Sequence, residues 1–268
     1  MAEFCKVMGI VNVTPDSFSD GGKYFRPEEA IRRAHNLAAE GAAIIDFGAE
    51  STRPGATPIT WQEEWDRLEP VLRGLSPSKE GLSPFQEGLS PSKEGLSPMI
   101  SVDTYHPETA ERAIALGAGM INCVKIEAAS EMWDLCAKTH TNIIIPAKSM
   151  GTVPKIRGSV SAEKGSVPAE KGSVPTVYID PMIGFGTTRE EDLELLWSLP
   201  DLAKKGPVAV GVSRKRIVKK LTGVKVGGKD LAGNLALAAW CALHGASLVR
   251  VHDVAETVQL LRVLETLA

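Results

Sequence analysis

Short apolar runs rich in β-branched residues recur along the chain and alternate with longer segments whose apolar positions repeat with helical period. Continuous apolar runs of this length are typical of parallel strands that crossover helices bury on both faces. The runs predict eight strands, at residues 7–13, 43–49, 99–103, 119–124, 142–147, 176–181, 208–213 and 247–253. The pattern therefore predicts an α/β protein with a parallel sheet.

The segment between the first two predicted strands, residues 27–41, shows the helical pattern. Pro27 favours the first turn of a helix, and Gly41 favours its end. One face of this helix collects small and apolar residues, namely Ala30, Ile31, Ala34, Leu37 and Ala38. Comparable helices are predicted within residues 61–75, 107–118, 130–140, 188–199, 231–245 and 254–268.

Eight regularly spaced strands, each followed by polar or glycine-rich residues, favour a closed (β/α)8 TIM barrel over an open doubly wound sheet. The length of 268 residues with 43% hydrophobic content is typical of such a barrel, although composition alone also fits a two-domain protein. We therefore expect a single barrel domain over residues 1–268.

Two tracts interrupt the alternation, because residues 74–98 and 158–175 each repeat every seven residues. The glycine in each unit and the proline in most of them exclude a continuous helix, and with it a coiled coil. We interpret both tracts as low-complexity insertions in loops, which chain-closure entropy tolerates well. The second tract occupies the position of the fifth barrel helix, so we expect it to replace that helix.

Overall composition argues against nucleic acid and membranes as binding partners. The formal net charge is −3, which lacks the basic excess typical of nucleic-acid-binding proteins. The longest apolar runs fall short of the roughly 18 residues that a membrane span needs. The four cysteines are scattered without a disulfide or zinc spacing, which favours the reducing cytoplasm.

Polar residues collect where the predicted strands end. In a barrel these ends meet at one face, where ligand sites form. Any one of them could be a helix cap or turn residue, but independent caps would not gather so many on one rim. The rim residues are Asn12, Glu50 to Arg53, Asp103, Asn122, Asp180, Ser213 to Lys215, Arg250 and His252.

The rim residues divide by chemistry. Acceptor-rich side chains suit a flat heterocycle that carries amino and ring N–H groups, and cationic side chains suit an anion such as phosphate. The acceptors are Asp103, Asn122 and Asp180, and the anion group is Arg53, Arg250 and His252. Asn12 adds an oxygen of the kind that holds Mg²⁺ beside phosphate. The rim therefore predicts a site for a polar heterocycle that carries phosphate.

Two glycine-bearing polar loops, residues 15–22 and 51–58, follow the first two strands. Segments of this kind supply mobile lids over a site, although the same composition also fits two ordinary connecting loops. We expect both loops to close over the site.

Six segments resemble the signature sequences of the dihydropteroate synthases, in the same chain order: "NVTPDSFSDGG", "ESTRPGA", "SVDT", "IGFG", "GVSRK" and "RVHDVAET". The resemblance covers nearly the whole chain outside the two repeat tracts. It implies a homodimeric (β/α)8 barrel that uses Mg²⁺ and two small-molecule substrates. The implied reaction condenses 6-hydroxymethyl-7,8-dihydropterin diphosphate with p-aminobenzoate and releases pyrophosphate.

The resemblance also implies roles for individual residues. It places the pterin diphosphate against Thr52, Asp103, Asn122, Asp180, Lys215, Arg250 and His252. It places p-aminobenzoate against Phe18, Thr52, Arg53, Pro54, Phe185 and Ser213, with Arg53 also near the diphosphate. It makes Asn12 the metal ligand, and it makes Asp103, Asp180, Lys215 and Arg250 the catalytic residues.

Five positions depart from the family pattern, most of them beside strands four to six. Cys123 stands where the family has Asp, Ala49 and Met182 where it has Gly, Thr187 where it has Lys, and Ser149 where it has Met. These changes leave two alternatives to an active synthase. One is a pterin-binding paralogue with weak or no synthase activity. The other is a methyltetrahydrofolate methyltransferase, against which "STRPG" and "SRK" argue.

Overall fold

A computed structural model of the protein describes residues 4–14, 26–50, 57–75, 97–151, 174–224 and 230–267. The strands are β1 (Lys6–Asn12), β2 (Ile44–Gly48), β3 (Met99–Asp103), β4 (Met120–Asn122), β5 (Asn142–Pro146), β6 (Val177–Asp180), β7 (Val208–Gly211) and β8 (Ala246–Val251). The α-helices are α1 (Pro27–Ala39), α2 (Trp61–Leu75), α3 (Pro107–Ala115), α4 (Ala129–Thr139), α5 (Arg189–Trp197), α6 (Leu199–Ala203), α7 (Arg216–Thr222), α8 (Leu231–Leu243) and α9 (Val254–Leu267).

The eight strands are parallel and close into a barrel in chain order, with β8 pairing back onto β1. The predicted (β/α)8 barrel is therefore confirmed, and each predicted strand lies within two residues of an observed one. Two short helices, α6 and α7, were not predicted separately. They extend the connections before and after β7.

The repeat tracts lie almost entirely outside the described residues. Within the connection from β5 to β6, the described part holds a 3₁₀ helix, Ala147–Gly151. Residues 74–75, at the start of the first tract, form the last turn of α2. That the tracts are loop insertions, and that the second replaces the fifth helix, both stay predictions.

The side-chain alternation along each strand separates two cores. Outward residues such as Ile45, Phe47 and Val249 pack between the strands and the helices. Inward residues form an apolar plug inside the barrel, made of Met8, Ile44, Met120, Ile144, Tyr178, Ala209 and Leu248. The plug excludes water from the lower half of the barrel, so any polar group directly above it has a dry floor.

The next inward position on several strands is polar, and it lies two residues closer to the C-terminal end. Met120 is followed by Asn122, Tyr178 by Asp180, and Leu248 by Arg250. The strand register aligns Asp46 with Ser101 and Asp103 with Asn122. A polar layer therefore sits on the apolar plug, at the face where the strand ends meet.

Two further features concern the environment of the protein. The four cysteines are buried free thiols. Among the described residues, every helix is too short or too polar to span a lipid bilayer.

Candidate active site

Arg250, which points inward from β8, is the centre of the polar layer. Its Nε donates a hydrogen bond to Asp46 Oδ2 at 2.6 Å, and its Nη2 donates to Asp103 Oδ2 at 2.8 Å. The guanidinium is thus held between carboxylates from β2 and β3. Ion pairs of this kind, with hydrogen bonds in a low-dielectric interior, are costly to break by removing one partner.

Asp46, in the middle of β2, is a residue that the sequence analysis missed. It is fully buried, and its Oδ1 accepts from Ser101 Oγ at 2.6 Å. Its Oδ2 accepts from Asn122 Nδ2 at 3.2 Å as well as from Arg250. The signal was present in the sequence, because a lone carboxylate inside an apolar strand is stable only with buried partners.

Asp103 ends β3, and the pKa of its carboxyl group is shifted toward neutral pH. Burial raises its pKa to about 7, even though the neighbouring Arg250 favours the ionised form. The carboxylates of Asp46, Glu64 and Asp180 add to the rise. Asp103 therefore exchanges a proton near neutral pH, where it can act as either an acceptor or a donor toward a ligand.

Asp180, Lys215 and Phe185 come together above β6 and β7. Asp180 Oδ1 accepts from the Met182 backbone N–H at 2.7 Å, and burial raises the Asp180 pKa. Lys215 Nζ donates to the Ile183 carbonyl and lies 4.6 Å from the centroid of the Phe185 ring. Burial lowers the Lys215 pKa to about 8, against the opposing effect of Asp180.

The loop that carries Phe185 is fixed from below by a buried carboxylate. Asp192 Oδ1 accepts from the Gly184 backbone N–H at 2.7 Å and from Thr187 Oγ1 at 2.6 Å. The Gly184 N–H also reaches Thr187 Oγ1 at 3.1 Å. Thr187, which stands where the family pattern has Lys, therefore helps to order this loop.

Ser213 and His252 join the ends of β7 and β8. Ser213 Oγ lies 3.1 Å from His252 Nδ1, and it accepts from the His252 backbone N–H at 3.3 Å. Burial lowers the His252 pKa to about 4, with the nearby charges of Arg214 and Arg250 contributing in the same direction. The imidazole is therefore neutral at physiological pH.

A second polar cluster, of which the sequence analysis found only Glu50, ties α2 and the end of β2 to the segment after Asp103. The buried Glu64 Oε2 accepts from Thr104 Oγ1 at 2.6 Å, and burial raises the Glu64 pKa. Tyr105 donates its phenolic O–H to Glu50 at 2.7 Å, with Lys125 Nζ 3.2 Å from the centroid of its ring. This cluster braces the backbone that presents Asp103.

The structure thus brings most of the sequence-predicted residues to one face. Asp103, Asn122 and Arg250 share one hydrogen-bonded network through Asp46. Asn12 ends β1 at the same face and is exposed there. The predicted residues Phe18, Thr52, Arg53 and Pro54 lie outside the described residues, as do the proposed lids except for residues 57–58.

Three of the four other departures from the family pattern are buried, and the fourth, Met182, is partly exposed. Cys123 Sγ contacts the Lys125 carbonyl at 3.4 Å, and burial raises its pKa to about 11, so it carries no charge where the family has a carboxylate. Ala49 is fully buried, and its carbonyl accepts from Arg67 Nη1 at 2.8 Å. Ser149 is also fully buried, on the 3₁₀ helix after β5.

Comparison with known proteins identifies the family of the chain. Residues 8–252 match the sequence family described as pterin binding enzyme. The chain is 35% identical to dihydropteroate synthase from Streptococcus pyogenes serotype M6 over 97% of this chain and 95% of that protein. It is 33% identical to dihydropteroate synthase from Escherichia coli K12, over 97% and 90% of the two chains.

Solved structures give the same result. A Xanthomonas albilineans dihydropteroate synthase with 4-aminobenzoic acid superposes with a TM-score of 0.78 at 34% identity, over 98% of this chain and 93% of that one. The Thermus thermophilus dihydropteroate synthase in complex with 6HMPPP gives 0.72 at 30% identity, over 98% and 94%. The chain therefore belongs to the pterin binding enzyme family and, within that family, to the dihydropteroate synthases.

Removing the buried partner of Arg250 tests the central ion pair. We expect Asp46→Ala to lower the free energy of unfolding by about 3 kcal/mol, because it leaves a buried guanidinium partly uncompensated. Ser101→Ala removes only a neutral donor to the same carboxylate, and we expect a loss of about 1 kcal/mol. Urea unfolding of both variants measures the difference. Equal losses would contradict a central role for the pair.

Met182 offers a test of backbone strain. Its φ is 66°, in the left-handed region that glycine prefers, and it stands where the family pattern has glycine. We expect Met182→Gly to raise the free energy of unfolding by about 1 kcal/mol, because it removes the Cβ that the left-handed conformation disfavours. Met182→Ala keeps the Cβ and serves as the control in thermal unfolding. A Gly variant no more stable than the Ala variant would show that the turn is unstrained.

Proposed function

We propose that the protein catalyses the dihydropteroate synthase reaction. It joins 6-hydroxymethyl-7,8-dihydropterin diphosphate to p-aminobenzoate, forming the C–N bond of dihydropteroate and releasing pyrophosphate. The observation that carries this proposal is the buried polar layer around Arg250, which holds Asp103 and Asn122 at the C-terminal ends of the strands. The names of the relatives and the ligands in the solved neighbours support the same reaction.

The heterocycle is recognised by acceptors on a dry floor. Asp103, Asn122 and Asp180 would accept hydrogen bonds from the amino and ring N–H groups of the pterin. Hydrogen bonds to buried carboxylates are stronger than those to neutral acceptors, so they orient the ring well. Lys215, which follows the neighbouring strand β7, would contact the pterin beside Asp180.

The enzyme would accelerate the reaction mainly by stabilising the departure of the leaving group. The arylamine of p-aminobenzoate is uncharged at neutral pH, so it can attack without a general base. As the C–O bond breaks, negative charge grows on the pyrophosphate and positive character grows on the pterin. His252 and Arg250 would stabilise the first, and Asp103 and Asp180 would stabilise the second.

The second substrate would bind over this layer. Phe185 and Ser213 are the proposed p-aminobenzoate contacts among the described residues, and Phe18, Thr52, Arg53 and Pro54 are the others. A 4-aminobenzoic acid complex of the Xanthomonas albilineans relative supports this choice of ligand.

The residues present fit a substrate-held Mg²⁺ ion. Asn12 offers one exposed hard oxygen at the strand ends. Within the described ranges, His, Cys, Asp and Glu side chains form no group of three that could hold a metal. Magnesium is commonly bound by one or two protein oxygens together with substrate phosphates, so Asn12 and the diphosphate would share it. When bound, the ion would supply positive charge beside the leaving pyrophosphate.

We also propose that the protein forms a homodimer. Large apolar side chains are exposed on α7 and α8, with Leu221 at 57% and Leu243 at 52% accessibility. A second copy would cover them, and light scattering would then give twice the chain mass of 28.6 kDa.

The proposed compartment is the cytoplasm, because the four buried free thiols suit a reducing environment. Cell fractionation checks this directly.

Steady-state pyrophosphate release tests the assignment of the catalytic residues. We expect Arg250→Ala and Asp103→Ala each to lower turnover at least about a hundredfold, because each removes charge stabilisation from the transition state. Lys204→Ala, at an exposed ion pair with Asp201, serves as the control and should turn over normally. Near-normal rates in either site variant would contradict the mechanism. Pterin binding by calorimetry without turnover in the unmodified protein would identify a silent paralogue instead.

The titration of the site predicts a bell-shaped profile of kcat/KM for the pterin substrate. The rate constant should rise through about pH 7 as Asp103 ionises and becomes an acceptor. It should fall above about pH 8 as Lys215 loses its charge. Lys215→Arg keeps a cation there, so we expect it to move the alkaline limb upward. The substrate titrates identically in both assays, so an unmoved limb would exclude Lys215 as its origin.

A further inference from the structure

Ser213 makes two hydrogen-bond contacts with His252, which its proposed contact with p-aminobenzoate does not explain. Ser213 follows β7, is 8% exposed, and makes two hydrogen-bond contacts with the same histidine. Nδ1 lies 3.1 Å from its Oγ, and the backbone N–H of His252 donates to that Oγ at 3.3 Å. The backbone of His252 is held independently, because its carbonyl accepts from Arg33 Nη2 at 2.9 Å.

The hydrogen-bond partners of Ser213 favour one position for the ring proton of His252. A serine hydroxyl has one proton to donate, and Oγ already accepts from the His252 backbone N–H. Among the described residues, Nδ1 is the acceptor within reach of that proton. A buried hydroxyl that donated to nothing would lose stability, so the favoured arrangement has Ser213 donating to Nδ1. In that arrangement Nδ1 is unprotonated, and the proton of the neutral ring resides on Nε2.

The charges around the ring keep it neutral. The His252 pKa is lowered to about 4, mainly by burial and also by the cations Arg214, Arg250 and Arg33, with Asp253 partly opposing them. Asp253 is itself paired with Arg214 Nη2 at 2.8 Å. Nε2 makes no hydrogen bond within the part of the chain that the structure describes, and His252 directly follows the C-terminal end of β8, at the face where the strand ends meet.

We propose that Ser213 is a positioning residue that holds His252 as the neutral tautomer protonated on Nε2, which donates that N–H to the leaving diphosphate. This inference rests on the proposed function for the identity of the anion. No proton changes place in this role, because the N–H remains on the imidazole while charge develops on the phosphate oxygen. Ser213 would thus affect diphosphate binding indirectly, by holding His252, in addition to its proposed contact with p-aminobenzoate.

Nuclear magnetic resonance tests the tautomer directly, without any substrate. Long-range ¹⁵N–¹H correlation spectra of the full protein separate protonated from unprotonated ring nitrogens, and the loss of signals in His252→Gln assigns the ring. We expect unmodified His252 to show a protonated Nε2 and an unprotonated Nδ1 at neutral pH. Ser213→Ala should give a mixture of tautomers, and Ser213→Thr, which keeps the hydroxyl, should restore the single form.

Binding of inorganic pyrophosphate alone, by calorimetry, separates this role from p-aminobenzoate binding. We expect Ser213→Ala to weaken pyrophosphate affinity about tenfold, because the N–H is no longer held toward the anion, and Ser213→Thr to stay within about twofold of the unmodified protein. Ser198→Ala, which removes an exposed hydroxyl bonded to the Leu195 carbonyl, is the matched control and should bind normally.

Two results would overturn the inference. The first is an unmodified His252 that is protonated on Nδ1, or on both nitrogens, at neutral pH. The second is a Ser213→Ala variant that keeps both the single tautomer and full pyrophosphate affinity while only its KM for p-aminobenzoate rises. A protein that shows the expected tautomer but neither binds pyrophosphate nor turns over would instead refute the proposed function.

Discussion

The site depends on the ion pair that Arg250 makes with Asp46 and Asp103. Arg250 lies on β8, whereas its partners lie on β2 and β3, so the pair crosses the barrel interior past β1. A buried charge is stable only when it is paired and hydrogen-bonded, and each member of this set has such partners. The pair therefore holds Asp103 at a defined place and couples its ionisation to that of its neighbours.

The apolar plug beneath this layer shifts the pKa values of the charged side chains above it. Met120, Tyr178 and Leu248 exclude water one inward position below Asn122, Asp180 and Arg250. The low dielectric of this floor raises the pKa of Asp103 and lowers that of Lys215, so both titrate close to neutral pH. Perturbed groups of opposite charge on one rim are typical of a catalytic site rather than of a structural core.

Some of the site could be predicted from local sequence because strand period alone sends a strand's last residues to the rim. Asp103, Asn122 and Asp180 were found in this way, and the structure places them at strand ends. Asp46 was missed because it lies mid-strand, where its role depends on Arg250, 204 residues away along the chain. The Glu64–Thr104 contact was missed for the same reason, since its two residues come from α2 and from the segment after β3.

The sequence by itself determined the order of the strands and of the longer helices, the face on which polar residues collect, and the family, because these depend on local periodicity and on contiguous motifs. Only the tertiary structure decided which side chains share protons and charges. Asp46 becomes the common acceptor of Ser101, Asn122 and Arg250 only when the barrel closes. Likewise, Ser213 comes within hydrogen-bond distance of His252 only once β7 and β8 lie side by side, because the two residues are 39 positions apart along the chain.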